Sequence, residues 1–218
     1  SIELRLASAF DGDWNFLLGG FYLDYDSETH YYIYSAALEL FGQTFGIPES
    51  QRVFDNDTSD FNLETWALFG ELYWQATDNL TFTLGLRYTE EEKSSKQRTV
   101  YLAFLDDPNA PDGGYNDFGG EWEEPTGKFN ITWDVADDVM TYMTLSRSYK
   151  SGGFNPISSE SPLLEIDPSL AEFDPEYINA FEIGAKTRLL DNTLQANVTY
   201  FYYDYEGLQV AKLTNQTS

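Results

Sequence analysis

ETWALFGELYWQATDNLTFTLGLRYTEEEK, residues 64–93, is the stretch whose reading decides the fold. In its second half Leu80, Phe82, Leu84, Leu86 and Tyr88 alternate with Thr81, Thr83, Gly85, Arg87 and Thr89. Successive side chains of extended backbone point to opposite sides, so a period of two gives a strand with one apolar and one polar face. The first half repeats the pattern, with Trp66, Leu68, Leu72 and Trp74 on one face and Ala67, Phe69, Glu71, Tyr73 and Gln75 on the other. Thr77-Asp78-Asn79 joins the halves, and so short a link of turn formers requires an antiparallel hairpin. Each arm holds about ten or more alternating residues, against roughly five or six in an ordinary globular strand. Long arms with aromatic ends predict a hairpin that crosses a membrane.

Composition fits that reading. Aromatic residues make up 17% of the 218, while mean hydropathy is only −0.43. Many aromatics in a chain that is polar on average suit alternating strands joined by polar loops. No run approaches the roughly 18 apolar residues that a spanning helix needs. A net charge of −25 excludes nucleic acid as a partner, because a phosphate backbone would be repelled. Solvated acidic loops account for that charge more simply than recruitment of a cation. With no cysteine there is no disulfide framework and no thiolate metal site. The single histidine, His30, supports neither a zinc cluster nor an ordinary catalytic triad.

Eight strands emerge along the chain. The first runs from Ile2 to Ser8 and is turned back at Phe10-Asp11-Gly12-Asp13 into the second, Trp14 to Asp26. Ser27 to Leu63 reads as one long loop with some structure of its own, holding YYIYSAALELFGQTFGIPES and the acidic run Asp55 to Asp60. After the two arms of the hairpin, the pattern decays through Glu91, Glu92 and Lys93 into a turn-rich loop that reaches Pro125. Thr126 to Val135 and Val139 to Tyr149 are the fifth and sixth strands, joined at Ala136-Asp137-Asp138. A loop from Lys150 to Pro175, with four prolines, leads to the seventh strand, Tyr177 to Leu189. Asp191-Asn192 turns it into the eighth, Leu194 to about Tyr205.

Short turns near Gly12, Asn79, Asp137 and Asn192 alternate strictly with long loops. Outer-membrane barrels sort their links in this way, short on the periplasmic side and long outside. A Greek-key β-sandwich has no reason to. The fold class predicted is therefore all-β, an antiparallel transmembrane β-barrel segment of about eight long strands. Leu80, Phe82, Leu84, Phe129, Ile131, Leu194 and Val198 are assigned to the lipid. Thr81, Arg87, Lys128, Asp134, Glu182, Lys186 and Gln195 are assigned to the lumen. Trp66, Trp74, Tyr88, Trp133, Tyr200 and Tyr202, near the strand ends, read as interfacial girdle residues.

Several segments resemble the barrel region of TonB-dependent outer-membrane receptors. The likeness is clearest in SRSYKSGGFN (Ser146 to Asn155), followed by FDPEYINAFEIGAKTRLLDNTLQANVTYFYYDYEGLQV (Phe173 to Val210). TFTLGLRYTEEEK (Thr81 to Lys93) and ELRLAS (Glu3 to Ser8) are similar to the same region. The resemblance implies a barrel of 22 strands around an N-terminal plug. It also implies uptake of a scarce small ligand (a ferric siderophore first, otherwise cobalamin or a carbohydrate) across the outer membrane of a Gram-negative bacterium, energised through TonB. The plug, the TonB box and the closing C-terminal strand of that pattern are not matched here. Residues 1–218 are thus expected to be part of one barrel domain, incomplete at both ends, with outer-membrane lipid, the small-molecule ligand and TonB as partners. TonB would be reached through receptor parts outside this chain. Eight strands that close on themselves as a small structural barrel are the alternative.

No catalytic, metal or cofactor site is picked out, and the ligand-binding residues are left unassigned. Glu90-Glu91-Glu92 and Asp106-Asp107 read as exposed loop charge, since acid–base work needs two carboxyls at fixed separation in a shielded cleft. Asp55 to Asp60 lacks the glycine and final glutamate of a calcium loop. Gly152-Gly153 lacks the spacing of a phosphate loop. An enzyme is not expected. An extracellular carbohydrate-binding β-sandwich that uses the aromatics as sugar platforms is the rival from another class.

Overall fold

The computed structural model describes residues 1–100, 109, 111–155, 172–191 and 193–210. Eight strands form one sheet: β1 (Ile2–Ala7), β2 (Trp14–Ile33), β3 (Phe54–Thr77), β4 (Leu80–Val100), β5 (Asn116–Ala136), β6 (Val139–Lys150), β9 (Glu176–Leu189) and β10 (Leu194–Glu206). They lie in chain order and each pairs antiparallel with the next. A two-residue ladder, β7 (Gly153–Phe154) with β8 (Glu172–Phe173), sits in the connection between β6 and β9. β1 and β10 are the two ends of the strand order, so the eight strands form an open arc. No second sheet packs on the large one among the described residues, which sets aside the sandwich.

Registers confirm the faces predicted for the hairpin and extend them across the arc. Leu84 lies opposite Leu72 on one side and Phe129 on the other, while Gly85 lies opposite Glu71 and Lys128. Residues directly opposite share a face. The apolar face is therefore Ile2, Leu4 and Leu6 on β1, then Leu18, Leu68, Leu84, Phe129, Leu145, Ile183 and Val198 on the strands that follow.

Burial is inverted relative to a water-soluble sheet. Leu68, Leu86 and Val198 on the apolar face are 61, 63 and 72% exposed, whereas Ala67, Thr65 and Thr89 on the polar face are buried. The polar face is the one its neighbours occlude, and the apolar face is left for the surroundings. Hydrophobic side chains gain from that arrangement only where the surroundings are not water.

Aromatic side chains bound the apolar band at both edges. Trp14, Trp74, Phe82 and Phe129 form a ladder across four strands, with ring centroids 5.2, 5.2 and 6.2 Å apart. At the other edge Tyr22 lies opposite Trp66, whose ring is 5.5 Å from that of Tyr88. From Trp14 to Tyr22 the strand covers about 27 Å, or roughly 20 Å when tilted near 40°, and the rings at each edge widen the band towards the ~25 Å of a barrel belt.

Strands run well past this band, which corrects several expected boundaries. β2 continues to Ile33 instead of stopping at Asp26, and β3 starts at Phe54, so the acidic run Asp55 to Asp60 is strand and not loop. β4 does not decay at Glu91 but reaches Val100, and β5 begins at Asn116 instead of Thr126. Trp66 and Trp74 consequently mark the edges of the band, not the ends of their strand. Period two vanishes beyond the band because neither face there meets an apolar medium. The β3–β4 register also shifts between Thr58 and Asp60, leaving Ser59 as an extra residue that reverses which face each later position takes. A helix, α1 (Ala36–Phe45), joins β2 to β3; Ser35 accepts from Leu38 N–H at its start and Gly46, with φ 69°, ends it. Asp106-Asp107, Asn192, residues 156–171 of the proline-bearing loop and residues 211–218 lie outside the described residues.

Leu84→Arg places a charge at the middle of the apolar band and should cost about 2–4 kcal/mol of assembly in lipid vesicles. Thr83→Arg, on the other face, should cost far less. Urea titration of the folded fraction in vesicles measures both; equal costs would mean the faces are wrongly assigned.

Candidate functional site

The polar face is built in tiers along the strand direction. Nearest the short turns, Tyr73 Oη donates to Glu71 at 2.6 Å and Lys128 Nζ pairs with the same carboxylate at 2.7 Å. Lys128 reaches it by lying across Gly85, where an added Cβ would meet its stem at 3.0 Å. One tier higher, Arg87 rests against two rings, its Cζ 5.8 Å from the centroid of Phe21 and 5.6 Å from that of Phe69, and its Nε donates to Thr89 Oγ1 at 2.8 Å. Phe69 lies flat over Gly19, a position where any Cβ would strike the ring. On the far strands Tyr142 spans Gly184 in the same way, bonding Thr199 at 2.9 Å beneath the Lys186 ammonium.

Beyond the band comes the densest cluster. The segment Ser151 to Asn155, SGGFN, folds back against β4 and β5, with Ser151, Gly152 and Gly153 buried. Glu91 accepts from Tyr149 Oη at 2.7 Å and from Ser151 Oγ at 3.0 Å. Lys93 Nζ donates to Ser151 Oγ at 2.6 Å and to Gly152 O at 2.8 Å, and stands 5.2 Å over the Trp122 ring. Gln97 holds the Asn155 carbonyl at 3.2 Å, and Gln209 holds the carbonyls of Ser151 and Asp174 at 3.0 and 3.1 Å. Phe154 fills the gap between Phe118 and Trp122. Burial, then the bond to Glu91, pushes the Tyr149 hydroxyl up, so it stays the donor. Burial draws the Lys93 ammonium down against the opposing pull of Glu91.

At the tip of the extended strands Tyr115 donates to Asp57 and is flanked by Arg98 and Lys96, 5.1 and 5.8 Å from its ring centroid. The bond to Asp57 raises the Tyr115 hydroxyl above its ordinary value. His30 Nδ1 lies 3.2 Å from Asp57 Oδ1. The acidic run is thus stitched into the sheet by cross-strand partners.

A family model for the TonB dependent receptor-like β-barrel matches residues 2–218. The chain belongs to that family. Pesticin receptors of Yersinia enterocolitica and Yersinia pestis are 26% identical over 137 residues, which is 63% of this chain and 18% of theirs. The crystal structure of the ferric yersiniabactin uptake receptor FyuA from Yersinia pestis superposes with a TM-score of 0.68 at 18% identity, covering 95% of this chain and 28% of that one. The siderophore receptor PiuA from Acinetobacter baumannii gives 0.61 at 18% identity, covering 90% and 30%. The chain therefore spans under a third of the length of the relatives it matches, and its open arc is a sector of a TonB-dependent receptor barrel.

Within that barrel the predicted lumen set falls on one face. Arg87, Lys128, Glu182 and Lys186 project with Glu71, Tyr73 and Tyr142, while Thr81, Asp134 and Gln195 occupy the end nearer the turns. Glu91 was expected as exposed loop charge and is instead the acceptor at the centre of the docked segment. Gln209 and Trp122 were not singled out at all. Their only trace in sequence is that SYKSGGFN carries two glycines next to a lysine, which shows crowding but not the partner.

An alanine Cβ at Gly152 would lie 2.4 Å from Phe173 O and 2.7 Å from Trp122 Nε1. Gly152→Ala should therefore undock the segment at a cost of about 1–3 kcal/mol, seen as faster hydrogen exchange over residues 151–155. Gly119→Ala, whose Cβ would have nothing nearer than Lys93 O at 3.9 Å, serves as a control that leaves exchange unchanged.

Proposed function

We propose that this chain is part of the wall and mouth of an outer-membrane receptor that takes up a scarce small ligand, a ferric siderophore before cobalamin or a carbohydrate, with energy supplied through TonB. Residues 1–218 then belong to a single barrel domain of a Gram-negative outer membrane. Lipid contacts the apolar band, and TonB engages receptor parts outside these residues. The observation that carries the reading is the family match over residues 2–218 together with the inverted burial of the arc. The named relatives support the ligand class, since FyuA takes up ferric yersiniabactin and PiuA is a siderophore receptor. The tiers of the lumen face add to it, because polar groups and aromatic rings along one wall offer a path for a chelate with both kinds of surface.

The test uses the full-length receptor in cells stripped of their own siderophore receptors. Radio-labelled iron presented on a panel of siderophores should enter when the receptor is expressed, and entry should stop when TonB is removed. Entry that persists without TonB, or no entry with any siderophore while cobalamin or a carbohydrate is taken up, would remove the siderophore assignment. Recovery of the protein from an aqueous extract without detergent would remove the barrel assignment itself.

A further inference from the structure

The chain has 12 Lys and Arg against 37 Asp and Glu, so a basic side chain here has acids to spare. Lys128 pairs with Glu71 at 2.7 Å and Arg147 with Glu124 at 3.3 Å. Arg87 makes no ion pair among the described residues. Its guanidinium is braced from behind by Phe21 and Phe69 and tethered through Nε to Thr89, which leaves the remaining donors of the fork uncommitted. Arg87, Lys128 and Arg147 line one concavity of about 440 Å³, in which Glu71 is the only acid among the lining residues. Hydroxyls of Ser146 and Ser148 lie on the same rim. A volume of that size is within the roughly 300–1,000 Å³ of small-molecule sites.

Three cations to one carboxylate, in a protein with threefold more acids than bases, is a local reversal of charge. A guanidinium held flat by aromatic faces keeps its planar fork pre-organised, which suits a bidentate carboxylate. We infer that this concavity is an anion subsite of the lumen wall, centred on Arg87, that takes the carboxylates of a metal chelate during its passage. The inference rests on the uptake reading and narrows its ligand to an anionic chelate. A carboxylate from elsewhere in the receptor is the competing occupant. The hydroxyl-rimmed, ligand-sized hollow favours the small molecule.

Full-length receptor purified in detergent is titrated with two probes, ferric citrate, which carries carboxylates, and a neutral ferric trihydroxamate. Ferric citrate should bind, its affinity should fall as ionic strength rises, and Arg87→Gln should weaken it on the order of 10-fold. The trihydroxamate should be indifferent to salt and to the substitution. The salt series is read on the wild-type protein and does not depend on the variant folding. An identical salt response for both probes overturns the inference. So does Arg87→Gln that binds ferric citrate like wild type, and so does a variant with unchanged affinity but a lowered Tm, which assigns Arg87 to a carboxylate of the receptor. Wild type that binds the trihydroxamate but not ferric citrate overturns this inference and leaves the uptake reading standing. Wild type that binds no ferric chelate overturns both.

Discussion

Every backbone N–H and C=O within the apolar band must find a partner in the neighbouring strand, because lipid offers none. The rest of the structure follows from that constraint. It excludes loops from the band and makes the strands pair in simple chain order. It also means that the free edges of β1 and β10 require further strands on each side. Hydrophobic burial, which organises a soluble sheet, is not what holds this one together. Among the described residues no large side chain is fully buried, and the leucines of the apolar face stand mostly exposed. The ladder of hydrogen bonds sets the register, and the register sets the faces.

Once the faces are fixed, the inner wall has to carry long side chains without blocking itself. Glycine solves this three times with one geometry: Phe69 lies over Gly19, Lys128 over Gly85 and Tyr142 over Gly184. In each case a directly opposite position lacks a Cβ, so the larger side chain lies along the wall and not across the lumen. Each of these pairs also positions a cation. Lys128 is delivered to Glu71, Phe69 supports Arg87, and Tyr142 lies beneath Lys186. Glycine in a strand interior costs about 0.5–1 kcal/mol relative to alanine, and here that cost is offset by contacts no other residue would permit.

How much of this was legible in sequence divides at the band. Within it the alternation from Trp66 to Trp74 and from Leu80 to Tyr88 gave strands, turn and faces together, because a lipid medium on one side imposes period two. Above it the same strands carry on through Asp55 to Asp60 and Glu90 to Val100 without any such pattern, and they read as loop. What keeps them extended is pairing, helped by Tyr115 on Asp57 and Gln97 on Asn155, contacts between residues 58 apart. The bulge at Ser59 hides them further, since one extra residue inverts parity midway through the strand. The docked segment was visible as a motif but not as a contact, because Glu91, Trp122 and Gln209 come from three separate stretches.

Charge follows the same division, and it alters what the composition can mean. Just above the aromatic edge the face continuous with the belt carries Asp24 opposite Glu64, Glu64 opposite Glu92 and Glu92 opposite Glu121. Like charges facing across strands destabilise a sheet, and here they are tolerated because exposed carboxylates are screened by salt within about 8–10 Å. The opposite face at neighbouring heights holds Arg87, Lys93 and Lys128, in positions that solvent reaches less. A net charge of −25 therefore describes the outside of the wall and is opposite in sign to the field around Arg87. The argument from net charge to partners holds for a long, screened approach, such as that of a nucleic acid to the outer surface. It does not hold for a ligand already inside, where the nearest charges and the dielectric around them decide.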